Sequence, residues 1–231
     1  MANLNKSWYK KWWIKILITI LIIFLIIAII FSFFLFDAIK KINNQTPIRL
    51  AETDEQNNTE LKKLIYGNND NYWIGSADPK ITIVEFADFS CAYCASSFQK
   101  IRELSVKYKD KIKIIFRDYP ITTDYSADLA MAARCAGEQG LFWVMHDKLF
   151  LNSGISKKTD IIKLALQSGA DINRFEVCLN DKKHLSKIQK DMADSQALEI
   201  SGTPAWFINE AKVEGDIPYD IFVQIIEKLL K

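Results

Sequence analysis

The stretch ITIVEFADFSCAYC, residues 81–94, decides the fold of this chain. Its first six residues are β-branched or apolar at nearly every position, which is the composition of a strand buried on both faces, as in a parallel sheet. Apolar residues then recur at helical spacing from Ala92 to Tyr108. The following run, KIKIIF at 111–116, predicts a second strand. Together these pieces predict a βαβ unit with parallel strands and a right-handed crossover.

The remainder of the chain predicts an insertion and a closing hairpin. Residues 124–198 show helical periodicity in several pieces and contain no convincing strand. The run AWFI at 205–208 and the pair Lys212-Val213 predict two strands joined by a tight turn, and residues 218–231 predict a last amphipathic helix. The order β-α-β, helices, β-β-α predicts one α/β domain with a helical insert at about 124–198.

Composition excludes several classes of protein. Of the 231 residues, 49% are hydrophobic and 25% are charged, and the net charge is +2, which is too apolar and too weakly charged for a disordered chain. Residues 1–50 hold seven of the 30 basic residues and one of the 28 acidic residues, so the remainder is mildly acidic. Such a body lacks the broad basic surface on which nucleic-acid binding depends, so no nucleic-acid partner is expected.

The N-terminal part predicts a membrane anchor. Residues 16–36 are 21 consecutive uncharged residues, nearly all Ile, Leu or Phe, which is enough for one transmembrane helix at ~1.5 Å per residue across ~30 Å of hydrocarbon. Four lysines precede this span and two follow it, so the positive-inside rule places residues 1–15 in the cytoplasm and the rest outside. A removed signal peptide is the alternative, but its apolar core would be shorter and would end at a small-residue cleavage site.

Residues 37–71 predict a polar linker between this signal anchor and the folded domain. The stretch is rich in Asn, Gln, Thr, Glu and Lys, with one short periodic piece near Leu61 to Tyr66. A polar linker of this length can hold a folded domain away from the bilayer. The folded domain is therefore expected at 72–231, on the periplasmic or extracytoplasmic side of the inner membrane.

Two of the four cysteines, Cys91 and Cys94, lie where the first predicted strand runs into the first helix. The Cys91 sulfur should therefore sit at a helix N-terminus, where free N–H groups and the positive end of the helix dipole favour thiolate over thiol. This placement predicts Cys91 as the attacking nucleophile. Cys94, one turn further along, is within disulfide reach and would resolve a mixed disulfide by attacking Cys91.

Zinc ligation and an inert structural disulfide are the alternatives for this pair. Zinc would need a second ligand pair of similar spacing. His146 and His184 are isolated in the sequence, and Cys135 and Cys178 are 43 residues apart. Spacing and placement together therefore favour redox chemistry over both alternatives, and no metal site is expected.

The second pair, Cys135 and Cys178, falls within the predicted helical insert. The predicted topology puts this domain outside the cytoplasm, where disulfides form and persist. A structural disulfide between two helices is therefore the preferred interpretation, and two buried free thiols are the main alternative.

The segment EFADFSCAYC at 85–94, together with Gly202-Thr203-Pro204, resembles the DsbA-like branch of the thioredoxin superfamily, the extracytoplasmic thiol:disulfide oxidoreductases. The resemblance covers about 72–231 and includes 139–143 and 146–150, which are similar to that family's helical domain. It implies a thioredoxin fold with an inserted helical domain, preceded here by one transmembrane helix.

The resemblance also implies roles for three residues outside the cysteine motif. Pro204 is expected to be a cis-proline opposite the pair, with an ordinary trans proline as the alternative, and the Thr203–Pro204 loop is expected to present backbone groups to a substrate peptide. Glu85 stands where similar proteins bury an acid beneath the disulfide. Desolvation would raise its pKa and let it exchange a proton with Cys94. An exposed strand carboxylate is the alternative for Glu85.

The predicted function is a membrane-tethered, extracytoplasmic thiol:disulfide oxidoreductase that introduces disulfides into exported proteins through Cys91 and Cys94, without a cofactor. The resemblance implies that a membrane quinone-linked thiol oxidase reoxidises the pair. Ala92-Tyr93 stands where strongly oxidising relatives have Pro-His, and Thr203 also occurs in isomerases and reductases of the superfamily. A reductase or isomerase, for example one serving cytochrome c maturation with a membrane thiol reductant, is therefore an alternative. A tethered chaperone or adaptor without turnover is the alternative from another class.

Overall fold

The computed structural model describes residues 16–18, 20–25, 27–29, 32, 55–67 and 70–231. The chain divides into two units, 1–49 and 50–231. In the first unit, the described residues of the predicted span are helical, and most of their large apolar side chains are exposed. Among the described residues, the structure contains no helix whose length and hydropathy together suffice for a membrane span. The predictions for the basic N-terminus, the rest of the span and the start of the linker lie outside the described residues.

The second unit combines one five-stranded sheet with helices on both faces. Its described elements are, in chain order, α1 (Glu55–Tyr66), β1 (Trp73–Gly75), β2 (Ile81–Ala87), α2 (Ala92–Lys107), β3 (Ile112–Asp118), α3 (Ser126–Gly137), α4 (Phe142–Leu151), α5 (Lys158–Gln167), α6 (Ile172–Asn180), α7 (Leu185–Ala197), β4 (Ala205–Ile208), β5 (Ala211–Glu214) and α8 (Tyr219–Leu229). The strand order is β1-β3-β2-β4-β5, with β2 and β3 parallel and the other neighbours antiparallel. The predicted order β-α-β, helices, β-β-α is confirmed for β2 to α8, and the helical insert consists of the five helices α3 to α7.

Strand β2 occupies the centre of the sheet, between β3 and β4. Six of its seven residues are buried, as its β-branched composition predicts. Ile81 lies opposite Ile112 and Val84 lies opposite Ile115, so the register places apolar residues side by side on each face. The carboxyl end of β2 leads directly into the cysteine motif.

The two faces of the sheet are covered by different helices. On one face, Ile81 and Ile83 pack with residues of α2 and α8. On the other face, Val84 and Phe86 pack with Ile65 of α1, which has no exposed surface. Helix α1 falls within the stretch predicted as a linker, so that stretch is in part folded, because its periodic apolar residues supply a face that covers the sheet.

Strand β1 is the one strand of the described sheet that was not predicted. Its three residues are too few to show an alternation of apolar and polar positions. The strand pairs with β3, and the carbonyl oxygen of Trp73 accepts a hydrogen bond from Nε1 of Trp143 at 3.0 Å. A contact with the distant α4, rather than a local pattern, therefore helps to hold this edge of the sheet.

A buried network of ion pairs ties β3 to the insert. Nε of Arg117 donates to Asp191 at 2.8 Å, and its Nη2 donates to Asp194 at 2.6 Å. Arg134 pairs with Asp118, and its Nη2 donates to Asp191 at 2.7 Å. Buried charges of this kind require partners, so removing one member would leave an uncompensated charge. The network sets the position of the insert on the sheet, next to the end of β2 where the cysteines lie.

Candidate active site

Cys91 occupies the N-cap of α2, after the turn that follows β2. Its backbone N–H donates to the carbonyl oxygen of Asp88 at 3.0 Å, and its sulfur accepts a hydrogen bond from the backbone N–H of Cys94 at 3.4 Å. A negative sulfur at this position meets free N–H groups and the positive end of the helix dipole. The structure thus places Cys91 at the helix N-terminus expected from the sequence.

Asp88 shapes the turn that presents Cys91. Its buried carboxylate accepts hydrogen bonds from the backbone N–H of Ser90 at 2.8 Å, of Ile121 at 2.9 Å and of Thr122 at 2.7 Å. These bonds satisfy a buried charge and join the cysteine turn to the segment that follows β3. Asp88 is therefore a turn residue that fixes the direction of α2.

The Thr203–Pro204 loop faces Cys91 at the start of β4. The Thr203–Pro204 peptide bond is cis, as the resemblance implied. The Cys91 thiol donates to the carbonyl oxygen of Thr203 at 3.2 Å. Ala205 lies opposite Phe86 in the antiparallel pairing of β4 with β2, and this pairing brings the loop to the end of β2 that carries the cysteines.

The two cysteines of the motif are free and differ in acidity. Cys91 is 5% exposed, whereas Cys94 is fully buried. The hydrogen bond from the Cys94 thiol, with those from the Thr203 side chain and the backbone of Tyr93 and Cys94, lowers the pKa of Cys91 to about 6, although burial opposes this. Burial raises the pKa of Cys94 far above its usual range, and its bond to Cys91 raises it further. At neutral pH, Cys91 is the thiolate and Cys94 is the thiol.

Glu85 is buried in β2, six residues before Cys91, and is 1% exposed. It lies opposite Phe116 on β3 and Trp206 on β4, so both flanking residues are aromatic. Its Oε1 atom has no hydrogen-bond partner among the described residues. Burial, and to a smaller extent the charge of Cys91, raise the pKa of Glu85 to about 8, so the group is mainly protonated at neutral pH. The burial excludes the alternative of an exposed strand carboxylate.

Cys135 and Cys178 form a disulfide that joins α3 to α6, with their Cα atoms 5.7 Å apart. His184, which is isolated in the sequence, places a ring nitrogen within 4.8 Å of both sulfur atoms. The fold, not the spacing, brings these three residues together. Because the two sulfur atoms are bonded to each other, neither is available as a thiolate ligand for a metal ion.

Two exposed apolar side chains at the site were not predicted from the sequence. Tyr93 is 68% exposed and Ile121 is 45% exposed. Tyr93 lies between the two cysteines, and the N–H of Ile121 is bonded to Asp88 below the cysteine turn. No sequence signal distinguishes Ile121 from a core isoleucine, because its exposure depends on the turn that Asp88 holds.

A comparison with protein families gives one match over most of the chain. The model of a family described as thioredoxin matches residues 67–228. This range includes both cysteine pairs, Glu85 and the Thr203–Pro204 loop.

Solved structures share the fold. The thiol-disulfide exchange protein α-DsbA2 from Wolbachia pipientis is 21% identical with a TM-score of 0.66, and the match covers 77% of this chain and 100% of that one. The catalytic domain of ScsC from Proteus mirabilis is 23% identical with a TM-score of 0.68, covering 77% and 99%. Oxidised BdbD from Bacillus subtilis is 24% identical with a TM-score of 0.62, covering 69% and 92%. At this level of identity, the likeness shows the fold.

Curated relatives are much longer proteins. The Na⁺/H⁺ antiporter NhaA 3 of Salinispora tropica is 34% identical over 149 residues, which are 64% of this chain and 22% of that protein. The Na⁺/H⁺ antiporter NhaA 1 of Salinispora arenicola is 33% identical over 143 residues, which are 61% and 22%. The chain spans about a fifth of the length of these relatives. The match therefore gives no evidence of ion transport by this chain.

Proposed function

We propose that this chain, which belongs to the thioredoxin family, is a DsbA-like thiol:disulfide oxidoreductase that introduces disulfides into exported proteins through Cys91 and Cys94. The observation that carries the proposal is the Cys91 sulfur at the N-cap of α2, which accepts a hydrogen bond from the backbone N–H of Cys94 at 3.4 Å and has its pKa lowered to about 6. A thiolate stabilised in this way is a nucleophile and a good leaving group at neutral pH.

The reaction begins from the Cys91–Cys94 disulfide. A substrate thiolate attacks Sγ of Cys91, forms a mixed disulfide and displaces Cys94. Because burial disfavours a thiolate at Cys94, its departure requires a proton. We assign the delivery of that proton to Glu85, whose carboxyl group is mainly protonated at neutral pH.

The second step releases the product. The second thiolate of the substrate attacks the substrate sulfur of the mixed disulfide, and Cys91 departs as a thiolate. The substrate gains one disulfide, and its two electrons reduce the cysteine pair. Stabilisation of the Cys91 thiolate favours the reduced pair and therefore favours oxidation of the substrate. A membrane quinone-linked thiol oxidase would then reoxidise the pair.

The surface around Cys91 suits an extended or unfolded protein chain. Exposed Tyr93, two residues after Cys91, offers an apolar contact, and exposed Ile121 lies on the segment bonded to Asp88 of the cysteine turn. The Thr203–Pro204 loop offers backbone groups with which a substrate strand can pair. These features support an exported protein, rather than a small molecule, as the substrate.

Turnover is tested by oxidation of a dithiol peptide in the presence of excess glutathione disulfide. The wild-type chain should form the peptide disulfide faster than the uncatalysed background, and a Cys91→Ala/Cys94→Ala variant should not. If the double variant keeps the biological function of the chain, a tethered chaperone or adaptor is favoured over an enzyme.

The direction of electron flow is tested by the reduction potential of the Cys91–Cys94 pair in glutathione buffers. A reduction potential of about −120 mV supports an oxidase function. A potential of about −270 mV, similar to that of thioredoxin, contradicts it. The second candidate is a reductase supplied by a membrane thiol reductant. Ala92-Tyr93 favours that candidate, since it places no imidazole between the two cysteines to stabilise the thiolate.

A membrane tether is a further part of the proposal. It is supported by the uncharged run 16–36 and by the exposed apolar side chains of its described helical residues. The full chain should stay in the membrane fraction after an alkaline carbonate wash. Phe24→Lys/Ile27→Lys should release it, because each charge costs about 3 kcal/mol in the centre of a span. Val106→Lys/Leu166→Lys, which alters exposed apolar residues of α2 and α5, is the matched control. A soluble wild-type chain would contradict the tether.

A further inference from the structure

Asp216 lies in the turn between β5 and α8. Its carboxylate interacts with three side chains of α2, the helix that carries the redox pair. Oγ of Ser97 donates to Oδ1 at 2.6 Å, and Oγ of Ser96 donates to Oδ2 at 2.8 Å. Nζ of Lys100 forms an ion pair with Oδ1. One carboxylate therefore anchors the second and third turns of α2.

The two residues directly before Asp216, Glu214 and Gly215, contact the segment that carries the cis-proline loop. The backbone N–H of Gly215 donates to the carbonyl oxygen of Pro204 at 2.8 Å. The carboxylate of Glu214 accepts a hydrogen bond from the backbone N–H of Ser201 at 3.0 Å. Gly215 has a φ of 94°, which other residues rarely adopt. Segment 214–216 thus contacts the cis-proline loop on one side and α2 on the other.

We propose that Asp216 is a positioning residue for disulfide exchange, because it holds α2 against segment 214–216 and so fixes the distance between Cys91 and the Thr203–Pro204 loop. The proposal rests on the proposed function. Cys91 and Thr203 are 112 residues apart in the sequence, so their 3.2 Å contact depends on how α2 and the loop are held together. Misplacement of reacting groups by about 1 Å can reduce a rate by about 10²-fold.

The charge state of Asp216 stays constant in the pH range that matters. Burial alone would raise the pKa of Asp216, but hydrogen bonds from Lys100, Ser97 and Ser96 hold it below its usual value. Lys100 is the charged side chain bonded to it. Asp216 is therefore ionised wherever Cys91 titrates, and its own titration does not enter the test.

The test uses the full chain in the reduced state and compares Asp216→Ala, Asp216→Asn and Asp220→Asn with the wild type. Asp220 is exposed in the first turn of α8, so its replacement removes the same charge without removing a bond to α2. One measurement is the pH midpoint of Cys91 alkylation by iodoacetamide, and the other is the rate of exchange with a dithiol peptide. Thermal unfolding followed by circular dichroism shows whether each variant is folded.

Asp216→Ala is expected to slow exchange about tenfold. It should also shift the alkylation midpoint, because the contact between Cys91 and Thr203 is no longer held at 3.2 Å. Asp216→Ala and Asp216→Asn lose the same negative charge, so a difference between their midpoints separates positioning from electrostatics. Asp216→Asn keeps an acceptor oxygen for one of the two serines and should recover part of the rate, and Asp220→Asn should match the wild type.

A folded Asp216→Ala chain with the wild-type midpoint and exchange rate overturns the proposal. If that variant does not fold, Ser97→Ala and Lys100→Gln each remove one bond to Asp216, and an unchanged midpoint in both overturns it as well. A wild-type chain that does not exchange disulfides contradicts the proposed function. In that case the alkylation midpoint still decides whether Asp216 positions Cys91.

Discussion

The two cysteine pairs of this chain lie in one folded unit and differ in their bonding state. Cys91 and Cys94 are free, whereas Cys135 and Cys178 are joined. Cys91 precedes α2 as its N-cap, where backbone N–H groups are free. Cys135 and Cys178 each lie third from the end of their helices, α3 and α6.

This difference in position explains the difference in chemistry. The positive end of a helix favours a thiolate, and the negative end disfavours one. A cysteine before the first turn is therefore suited to exchange its bond, and a buried cysteine in the last turn is suited to keep it. The predictions below test this division of roles.

Replacing Cys91 by Ser has the largest expected effect. Without this thiolate no mixed disulfide can form, so oxidation of a dithiol peptide should fall to the uncatalysed background. Cys94→Ser should instead trap the mixed disulfide, because Cys91 can attack but nothing resolves the adduct. Peptide oxidation measures the first effect, and a non-reducing gel measures the second. If the Cys91→Ser variant oxidised the peptide at the wild-type rate, another cysteine pair would have to be the reactive one. Cys135–Cys178 would be the first candidate.

Replacing Cys135 and Cys178 together by Ala tests the other pair. Their disulfide closes a loop of 43 residues, and such a closure is worth about 4 kcal/mol in the chain-entropy model. The free energy of unfolding, measured in urea, should fall by about that amount. The exchange rate should stay at the wild-type value under conditions in which the variant is folded. A folded variant that has lost exchange would mean that the second pair takes part in the reaction.

Replacing Glu85 by Gln tests the proposed proton donor of the Cys91–Cys94 pair. The folded pKa of Glu85 is about 8 against 4.5 in the unfolded chain, so the folded state keeps a proton that the unfolded state releases. Stability should therefore fall as pH rises between these two values and level off above them. Between pH 5 and pH 8, the wild type should lose about 3 kcal/mol more than the variant, measured by denaturant unfolding.

Cys91 titrates in both the wild type and the Glu85→Gln variant. Only the difference between their pH profiles of stability is therefore due to Glu85. At pH 7 the same variant should also slow the displacement of Cys94 by about 10²-fold, because Gln cannot deliver a proton. Stopped-flow measurement of mixed-disulfide formation checks this rate. Identical pH profiles of stability in the two chains would show that Glu85 titrates as an exposed carboxylate.

The sequence was sufficient for the reactive pair and insufficient for the contacts that hold it. Cys91 and Cys94 were predicted because the strand, the turn and the helix that place them are contiguous. The sequence alone did not decide whether Glu85 is buried or exposed, because the environment of a β2 residue depends on pairing with β3 and β4. His184 and Asp216 escaped prediction because their contacts join distant segments. Those of Asp216 reach side chains 116 to 120 residues away.

The smallest expected effect concerns the acidity of Cys91, the property that most separates the two pairs. Tyr93 is 68% exposed, so Tyr93→His requires no space in the core. A protonated imidazole beside the thiolate adds attraction on the order of 1 kcal/mol, which raises the reduction potential by about 20 mV. Because only the protonated ring attracts, the rise should be larger at pH 6 than at pH 8. Tyr93→Gln is the neutral control, and an equal shift in both variants would assign the effect to loss of the tyrosine rather than to the added charge.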